Sequence, residues 1–343
     1  MNLERNDPPI MNHLRPLRRL APDGSQTVVW RGSRPVKSAL VIINPVSPNL
    51  PARRHLREAA AWLKARDWRA DWVFTRWAGE ATRIAERAVA EGRDLVVVCG
   101  GDGTISEAIN GLAGSHTPLG VIPAGTANVW AKEVGLPRRP IDALQVALYG
   151  QAQRMDLGRA GAGQEGRYFF LMAGVGLDGQ IAASLPLGIK RYLGATTYAI
   201  TAVRESLRFR GQQVRLLLDG GPCETRLVMM VVGNTRNYGG VAQVTARACA
   251  NDGLLDVCLF PGDGPLDIIL HTLRVIAKAH LRASPVLYRR VRRVELPEES
   301  VLPVQLDGDF CPAYPTLFEV VPAALTVMLP HRALPLFRRR GPA

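Results

Sequence analysis

The stretch DLVVVCGGDGTISEAINGL, residues 94–112, decides how the chain is read. After Asp94, residues 95–99 are an apolar, largely β-branched run with no polar alternation, the pattern of a strand covered on both faces in a parallel sheet. The last eight carry apolar residues at helical spacing. Between them Gly100, Gly101 and Gly103 let the backbone turn sharply and approach a ligand closely, and a helix starting there offers free N–H groups and a dipole that favour a phosphate. Thr104 and Glu107 have the T-x-x-E spacing of a capping box, which predicts a helix starting at that point. The loop is neither a G-x-x-x-x-G-K-[ST] phosphate loop nor a G-x-G-x-x-G fingerprint. Taken alone, it is also readable as a tight strand-to-helix turn with no ligand.

The same strand-then-helix grammar repeats on either side. SALVIIN (38–44) precedes a helix over 53–66, DWVFT (71–75) precedes one over 80–92, and PLGVI (118–122) precedes one over 127–134. Four such units predict a parallel sheet with ligands bound outside the carboxyl ends of its strands. From about residue 152 the pattern changes to hairpins around GAGQEG and GGPC, with further strands at 242–248, 254–260, 287–296, 301–306 and 316–328 and helices near 189–208 and 264–280. The fold class is therefore α/β: a parallel-sheet nucleotide-binding domain followed by a mainly antiparallel β-sandwich domain. A length of 343 residues suits two such domains. The expected division is a basic arm without sustained periodicity over 1–37, an α/β domain over 38–155 completed by 316–335, a β-rich domain over 156–315 and a basic tail over 336–343.

Composition narrows the class further. Apolar residues at 47% and charged residues at 21% exclude a disordered or fibrous chain, and no apolar stretch reaches the roughly 18 residues of a membrane span. No secretory signal is legible, so a cytoplasmic location is expected. The five cysteines and six histidines show no metal-ligand or disulfide spacing. Residues 1–37 carry seven basic and three acidic side chains, 281–294 five basic and none acidic, and 331–343 four basic and none acidic; these segments hold the entire net charge of +13. Such concentrated patches seek polyanions, either nucleic-acid phosphates or the anionic headgroups of a membrane surface contacted peripherally. The two tails are equally readable as solvated arginine.

A second loop, IPAGTAN (122–128), stands one unit after GGDGT, and two loops at adjacent strand ends are expected to form opposite walls of one crevice. Together with INP (43–45) and LDGD (306–309), these segments resemble the diacylglycerol kinase catalytic-domain family, which includes bacterial lipid kinases and sphingosine kinases. The resemblance runs from about residue 38 to about 330. It implies an NAD kinase/diacylglycerol kinase-like fold and an ATP-dependent lipid kinase that phosphorylates the hydroxyl of a diacylglycerol-type lipid. It further implies that ATP and Mg²⁺ are used, that Asn44, Thr75, Gly100, Gly101, Asp102, Gly103, Thr104, Ile105, Ser106, Gly125 and Thr126 contact nucleotide, and that Asp252 with the carbonyls of Cys249 and Leu254 holds a structural Mg²⁺. Asn251-Asp252-Gly253 is also a plain hairpin turn. A lipid alcohol is the expected partner; no nucleic acid is expected, and self-association into a homodimer stays open. The weighed alternatives are a sphingoid-base or other lipid-alcohol kinase, a soluble NAD-kinase-like enzyme, and a non-catalytic lipid- or nucleotide-binding protein.

Three departures from the family pattern matter. Pro48 stands where a glycine is usual in the first loop, removing an N–H. Asn128 is followed by Val129 rather than by an aspartate. The family's D-G-E is Asp307-Gly308-Asp309, so the carboxylate expected to act as base is one methylene shorter. The candidates for that role are Asp309, Asp307 and Asp102.

Overall fold

The computed structural model describes residues 14–20, 26–32, 37–161, 166–185, 194–240, 242–297, 301–331 and 336–337. Within the N-terminal segment, β1 (Leu14–Leu20) and β2 (Gln26–Gly32) pair antiparallel, with Leu20 opposite Gln26. This corrects the reading of 1–37 as devoid of periodic structure: Pro16 and the arginine pair Arg18-Arg19 interrupt the alternation by which a strand is recognised. Residues 1–13 and 338–343 lie outside the described residues.

The four strand-helix units form as expected. β3 (Lys37–Ile43), α1 (Arg53–Lys64), β4 (Trp68–Phe74), α2 (Glu80–Ala90), β5 (Leu95–Gly100), α3 (Asp102–Leu112), β6 (Leu119–Pro123) and α4 (Val129–Val134) follow one another, and α5 (Pro140–Tyr149) is a helix that the sequence reading did not anticipate. The parallel strands lie in the order β4-β3-β5-β6. One face of this sheet (Leu40, Ile42, Val96, Val98) packs on α2 and α3, and the other (Val41, Ile43, Val97) packs on α1 and α5 through Leu63 and Leu144. Burial on both sides explains the unbroken apolar runs. The chain runs from β3 to β4 on one side and then crosses back over β3 to β5 on the other, so the ends of β3 and β5 flank a topological switch point.

The second half supplies β7 (Gln151–Ala160), β8 (Arg167–Phe169), β9 (Met172–Gly176), α6 (Leu177–Ser184), α7 (Gly194–Arg208), β10 (Gln212–Leu218), β11 (Gly221–Gly233), β12 (Asn237–Tyr238), β13 (Ala242–Gln243), β14 (Leu255–Pro261), α8 (Pro265–Ile276), β15 (Leu287–Val291), β16 (Arg293–Glu295), β17 (Val304–Leu306), β18 (Asp309–Cys311) and β19 (Leu317–Leu329). Its pairings are antiparallel. The β10–β11 turn is Asp219-Gly220, not the GGPC segment, because a type I′ hairpin loop needs positive φ at both central residues and these two supply 49° and 81°. The strand expected over 242–248 shrinks to β13, and α6 occupies a stretch to which the sequence reading assigned no element. The helix start expected at 189–193 lies outside the described residues.

β19 joins the two halves. It pairs antiparallel with β7 and β16 and, near its end, parallel with β6, where Val327 lies opposite Leu119. A bulge between Val321 and Leu325 is pinned by Asp156, whose carboxylate accepts the N–H groups of Ala323 and Gly253. Leu325, fully buried beside it, packs into the same core as β5, β6 and α3. Leu325→Ala should therefore lower stability by about 2–5 kcal/mol, read as the midpoint shift in urea unfolding, with no change in secondary structure.

Candidate active site

Three loops meet at the switch point. The first follows β3: the Asn44 side-chain amide donates to Thr104 Oγ1 at 2.9 Å, and its Oδ1 accepts the Val46 N–H at 3.2 Å. Asn49 then donates its backbone N–H to the Ala124 carbonyl at 2.9 Å and its side-chain amide to the Gly125 carbonyl at 2.7 Å. The loop is thus tied to its neighbour by Asn49, and Pro48 leaves this anchoring intact. Thr75, buried at the end of β4, donates its N–H to the Ile43 carbonyl at 2.8 Å.

The loops after β5 and β6 touch backbone to backbone, so they form one continuous wall rather than the two facing walls expected. A Cβ on Gly125 would lie 2.5 Å from the Gly101 Cα, which is why both positions are glycine. Gly100 is confined similarly, since a Cβ there would lie 2.7 Å from the Thr104 side chain. Asn128, with φ 46°, folds back and exchanges hydrogen bonds with the backbone of Gly125 at 2.9 and 2.8 Å. Thr126 is left exposed on the outer edge.

Several assignments from sequence are corrected here. Asp102 does not present a free carboxylate to the cleft: Oδ2 accepts the Val129 N–H at 3.0 Å and Oδ1 the Trp130 N–H at 3.2 Å, so it braces the start of α4. Burial raises its pKa above the usual range, opposed by those two hydrogen bonds. The capping box fails as well. α3 starts at Asp102 without any side-chain cap, and Glu107 turns away to accept the Ala81 N–H at the start of α2. Ile105 is a core residue whose N–H is spent on the Gly101 carbonyl, and Ser106 gives its hydroxyl to Asp307, so neither side chain is available to a nucleotide. Gly103 is exposed at the uncapped helix start.

Asp307-Gly308 is a two-residue turn between β17 and β18 with φ values of 52° and 90°. Four donors converge on Asp307: Ser106 Oγ–H at 2.8 Å and the N–H groups of Phe170, Leu171 and Met172 at 3.1, 2.8 and 3.2 Å. Burial nonetheless pushes this carboxyl up to about 6. Asn110, one turn after Ser106 on α3, exchanges hydrogen bonds with the backbone of Tyr168. Behind the turn the Gly308 N–H donates to Gln305, whose side-chain amide donates to Asp178 on α6 at 2.8 Å, and Tyr238 donates its hydroxyl to the same carboxylate. Asn110, Asp178, Tyr238 and Gln305 brace the candidate site and were missed by sequence reasoning, since none lies in a recognisable motif.

Asp309 comes out of this turn facing the glycine loop. Its Oδ2 lies 3.9 Å from where a Cβ on Gly103 would stand and 3.8 Å from Arg167 Nη2, and half of its side-chain surface is open to solvent. Of the three candidate carboxylates, it is the one presented to the cleft.

The proposed structural Mg²⁺ site does not fit. Asp252 Oδ1 accepts the Leu254 N–H at 3.2 Å, and Oδ2 is ion-paired with the Arg290 guanidinium, which places a cation against the one carboxylate assigned to the metal. Cys249 turns its thiol toward Asn251. Among the described residues no three His, Cys, Asp or Glu side chains are grouped to hold a metal ion.

Two outcomes follow from these partners. Asp102→Ala should cost about 1–2 kcal/mol of stability along with turnover, because it strips the start of α4 of its acceptor; urea unfolding beside an activity assay checks both. For Asp307, a pKa raised in the folded state means that the native chain holds a proton which the unfolded chain has released between pH about 4 and about 6. Its contribution to stability is therefore full below pH about 4 and lost as pH rises through about 6, at about 1.4 kcal/mol per pH unit. Asp307→Asn should remove that slope in urea midpoints taken across this window, and should also loosen the turn by setting an amide N–H₂ against the four donors.

The comparisons with known proteins agree with this fold. Residues 38–160 match the family model described as the diacylglycerol kinase catalytic domain, and residues 172–329 match the YegS C-terminal NAD kinase beta sandwich-like domain. A diacylglycerol kinase of Mycobacterium tuberculosis is 34% identical over 294 residues, covering 84% of this chain and 94% of that protein. A probable lipid kinase YegS-like protein of Chromohalobacter salexigens is 30% identical over 299 residues, covering 85% and 93%. In fold, a crystal structure of a putative diacylglycerol kinase from Bacillus anthracis superposes with a TM-score of 0.71 at 23% identity, covering 87% of this chain and 97% of that one. The chain belongs to the diacylglycerol kinase catalytic-domain family of lipid kinases.

Proposed function

We propose that the chain is an ATP-dependent lipid kinase that transfers the γ-phosphoryl group of Mg·ATP to the hydroxyl of a diacylglycerol-type lipid. The observation that carries this reading is the placement of Asp309, a solvent-reachable carboxylate held over Gly103 at the uncapped start of α3, while Asp102 and Asp307 are committed to bracing. The α3 start and the wall of Gly100, Gly101, Gly125 and Thr126 hold the phosphates, Asn44 and Thr75 border them, and Mg²⁺ enters with the nucleotide as part of the substrate. Phosphoryl transfer through a loose transition state asks the protein for positioning and charge stabilisation and for no covalent intermediate.

Asp309 takes the proton of the acceptor hydroxyl as its oxygen bonds to the γ-phosphorus. The bond from that phosphorus to the β,γ-bridging oxygen breaks, ADP leaves, and Asp309 returns its proton to water. Arg167, beside Asp309, adds positive charge at the cleft. The shorter side chain, relative to the family glutamate, is accommodated because the turn itself is set close to α3 by the Ser106–Asp307 hydrogen bond. The acceptor comes from an anionic membrane surface contacted peripherally, supported by the basic segments and by the absence of any helix among the described residues long and apolar enough to cross a membrane.

Asp309→Asn should retain nucleotide affinity and fold while lowering kcat by roughly 10²- to 10⁴-fold with dispersed diacylglycerol. Asp309→Glu should keep partial activity, since the extra methylene pushes the carboxylate into a space set for the shorter chain. Near-normal turnover by the asparagine variant would take Asp309 out of the chemistry.

A further inference from the structure

Two neighbouring helices of the β-rich half carry apolar residues on both faces. The inner face of α8 packs Ile268 and buried His271 onto the protein, and the inner face of α7 packs Ala202 and Glu205, with Phe209 just past its end. Their outer faces are apolar too. Leu266, Ile269, Leu270, Leu273 and Ile276 of α8 form a stripe at helical spacing, with Leu266 83% and Ile276 69% exposed. Ile200, Val203 and Leu207 form a second stripe on α7, which contacts α8, and Ile200 is 66% exposed. A helix that is apolar all round belongs in a core or a bilayer, and isolated exposed leucines do not explain eight such side chains on two adjoining helices.

We infer that the outer faces of α7 and α8 are the surface that seats this chain in an anionic phospholipid bilayer, the apolar stripes entering the acyl boundary and the flanking cations meeting the headgroups; this rests on the lipid-kinase reading for its purpose and not for its observations. The charge around the stripes selects the occupant. From Ile268 to Val294 there are seven Lys and Arg residues and no acidic residue, with Arg274, Lys278 and Arg282 directly at and beyond the end of α8. α7 adds exposed Arg204 and Arg208. The acidic groups of these helices are turned elsewhere: Glu205 is buried against Gln180, Asp267 accepts the N–H groups of Asp263 and Gly264, and Asp263 is paired with Arg226. A second copy of the chain would bring the same cations face to face across a two-fold axis, whereas an anionic leaflet neutralises them. Apolar residues backed by Lys and Arg are the composition of a helix lying in the plane of the interface.

The test is vesicle binding by the full chain, measured by co-sedimentation with phosphatidylcholine vesicles with and without phosphatidylglycerol. The chain should bind the anionic vesicles and release as salt rises, and the double variant Leu270→Gln, Leu273→Gln should bind them roughly tenfold or more weakly. Turnover of a short-chain diacylglycerol dispersed in detergent should stay within about twofold of the unaltered chain, because neither residue is near the catalytic cleft. In a separate Leu273→Trp chain, the added fluorescence should shift to shorter wavelength on vesicle addition and be quenched by lipids brominated on their acyl chains. Unchanged binding by the double variant, or a tryptophan that ignores brominated lipid, overturns the proposal. So does a double variant that converts a dimer to a monomer in sedimentation velocity, since the face would then be a contact between copies. Vesicle binding that responds as expected in a chain that phosphorylates no lipid would instead refute the kinase reading and leave the docking surface standing.

Discussion

Four hydrogen bonds on one carboxylate, that of Asp307, hold the site together. Ser106 donates from α3 and three successive backbone N–H groups donate from 170–172, so a side chain of the late D-G-D turn is clasped at once by the nucleotide-side helix and by the strand start of β9. α3 therefore has two duties. Its uncapped start faces the cleft, and its flank, through Ser106 and Asn110, grips the half of the molecule that carries Asp309. Donor and acceptor sides are registered against one rigid element. That is the economical way to hold a base within reach of a phosphoryl group, where a misplacement of about 1 Å costs on the order of a hundredfold in rate.

The remaining buried polar groups extend the same logic. Asp102 ties the glycine loop to α4, Glu133 on α4 accepts the N–H groups of Arg236 and Asn237, and Asp178 holds Gln305 and Tyr238 behind the turn. Burial raises the pKa of Glu133 as it does those of Asp102 and Asp307, and each is compensated by directed N–H donors. Such groups stabilise only when their partners are in place. They therefore specify one arrangement of the loops, and the carboxylate presented at the cleft mouth is that of Asp309, half exposed beside Arg167.

What the sequence discloses about this site follows from how local the determining physics is. The parallel sheet was legible because burial on both faces writes itself as unbroken apolar runs, and the glycine loop because close backbone approach admits no other residue at Gly101 and Gly125. The roles of the three aspartates were not legible. Asp102, Asp307 and Asp309 are alike in type and all sit beside glycine, and they differ only in partners 27 to 201 residues away in sequence. Glu107 shows the converse error: the T-x-x-E spacing is a local signal, and a tertiary contact with α2 overrode it. β1 and β2 were missed because arginine and proline obscure a two-stranded alternation, and Arg290 because an ion pair that answers Asp252 leaves no trace in the D-G-L-L-D string.

The outward stripes of α7 and α8 connect to the chemistry through α6. That helix packs on α7, rests against β17 and β18, and carries Asp178, which is joined through Gln305 to the Gly308 N–H beside Asp309. The outer stripes, α6 and Asp309 thus lie along one continuous packed path, with no free linker in it among the described residues. A soluble acceptor would need no such coupling, because it can enter the cleft in any orientation of the protein. A lipid hydroxyl is held at a fixed depth in a bilayer, so the angle at which the protein sits on the surface decides whether Asp309 meets it. Apolar side chains on two helices constrain that angle in a way that diffuse positive charge cannot, since charge attracts from a Debye length away while an inserted stripe fixes depth and tilt.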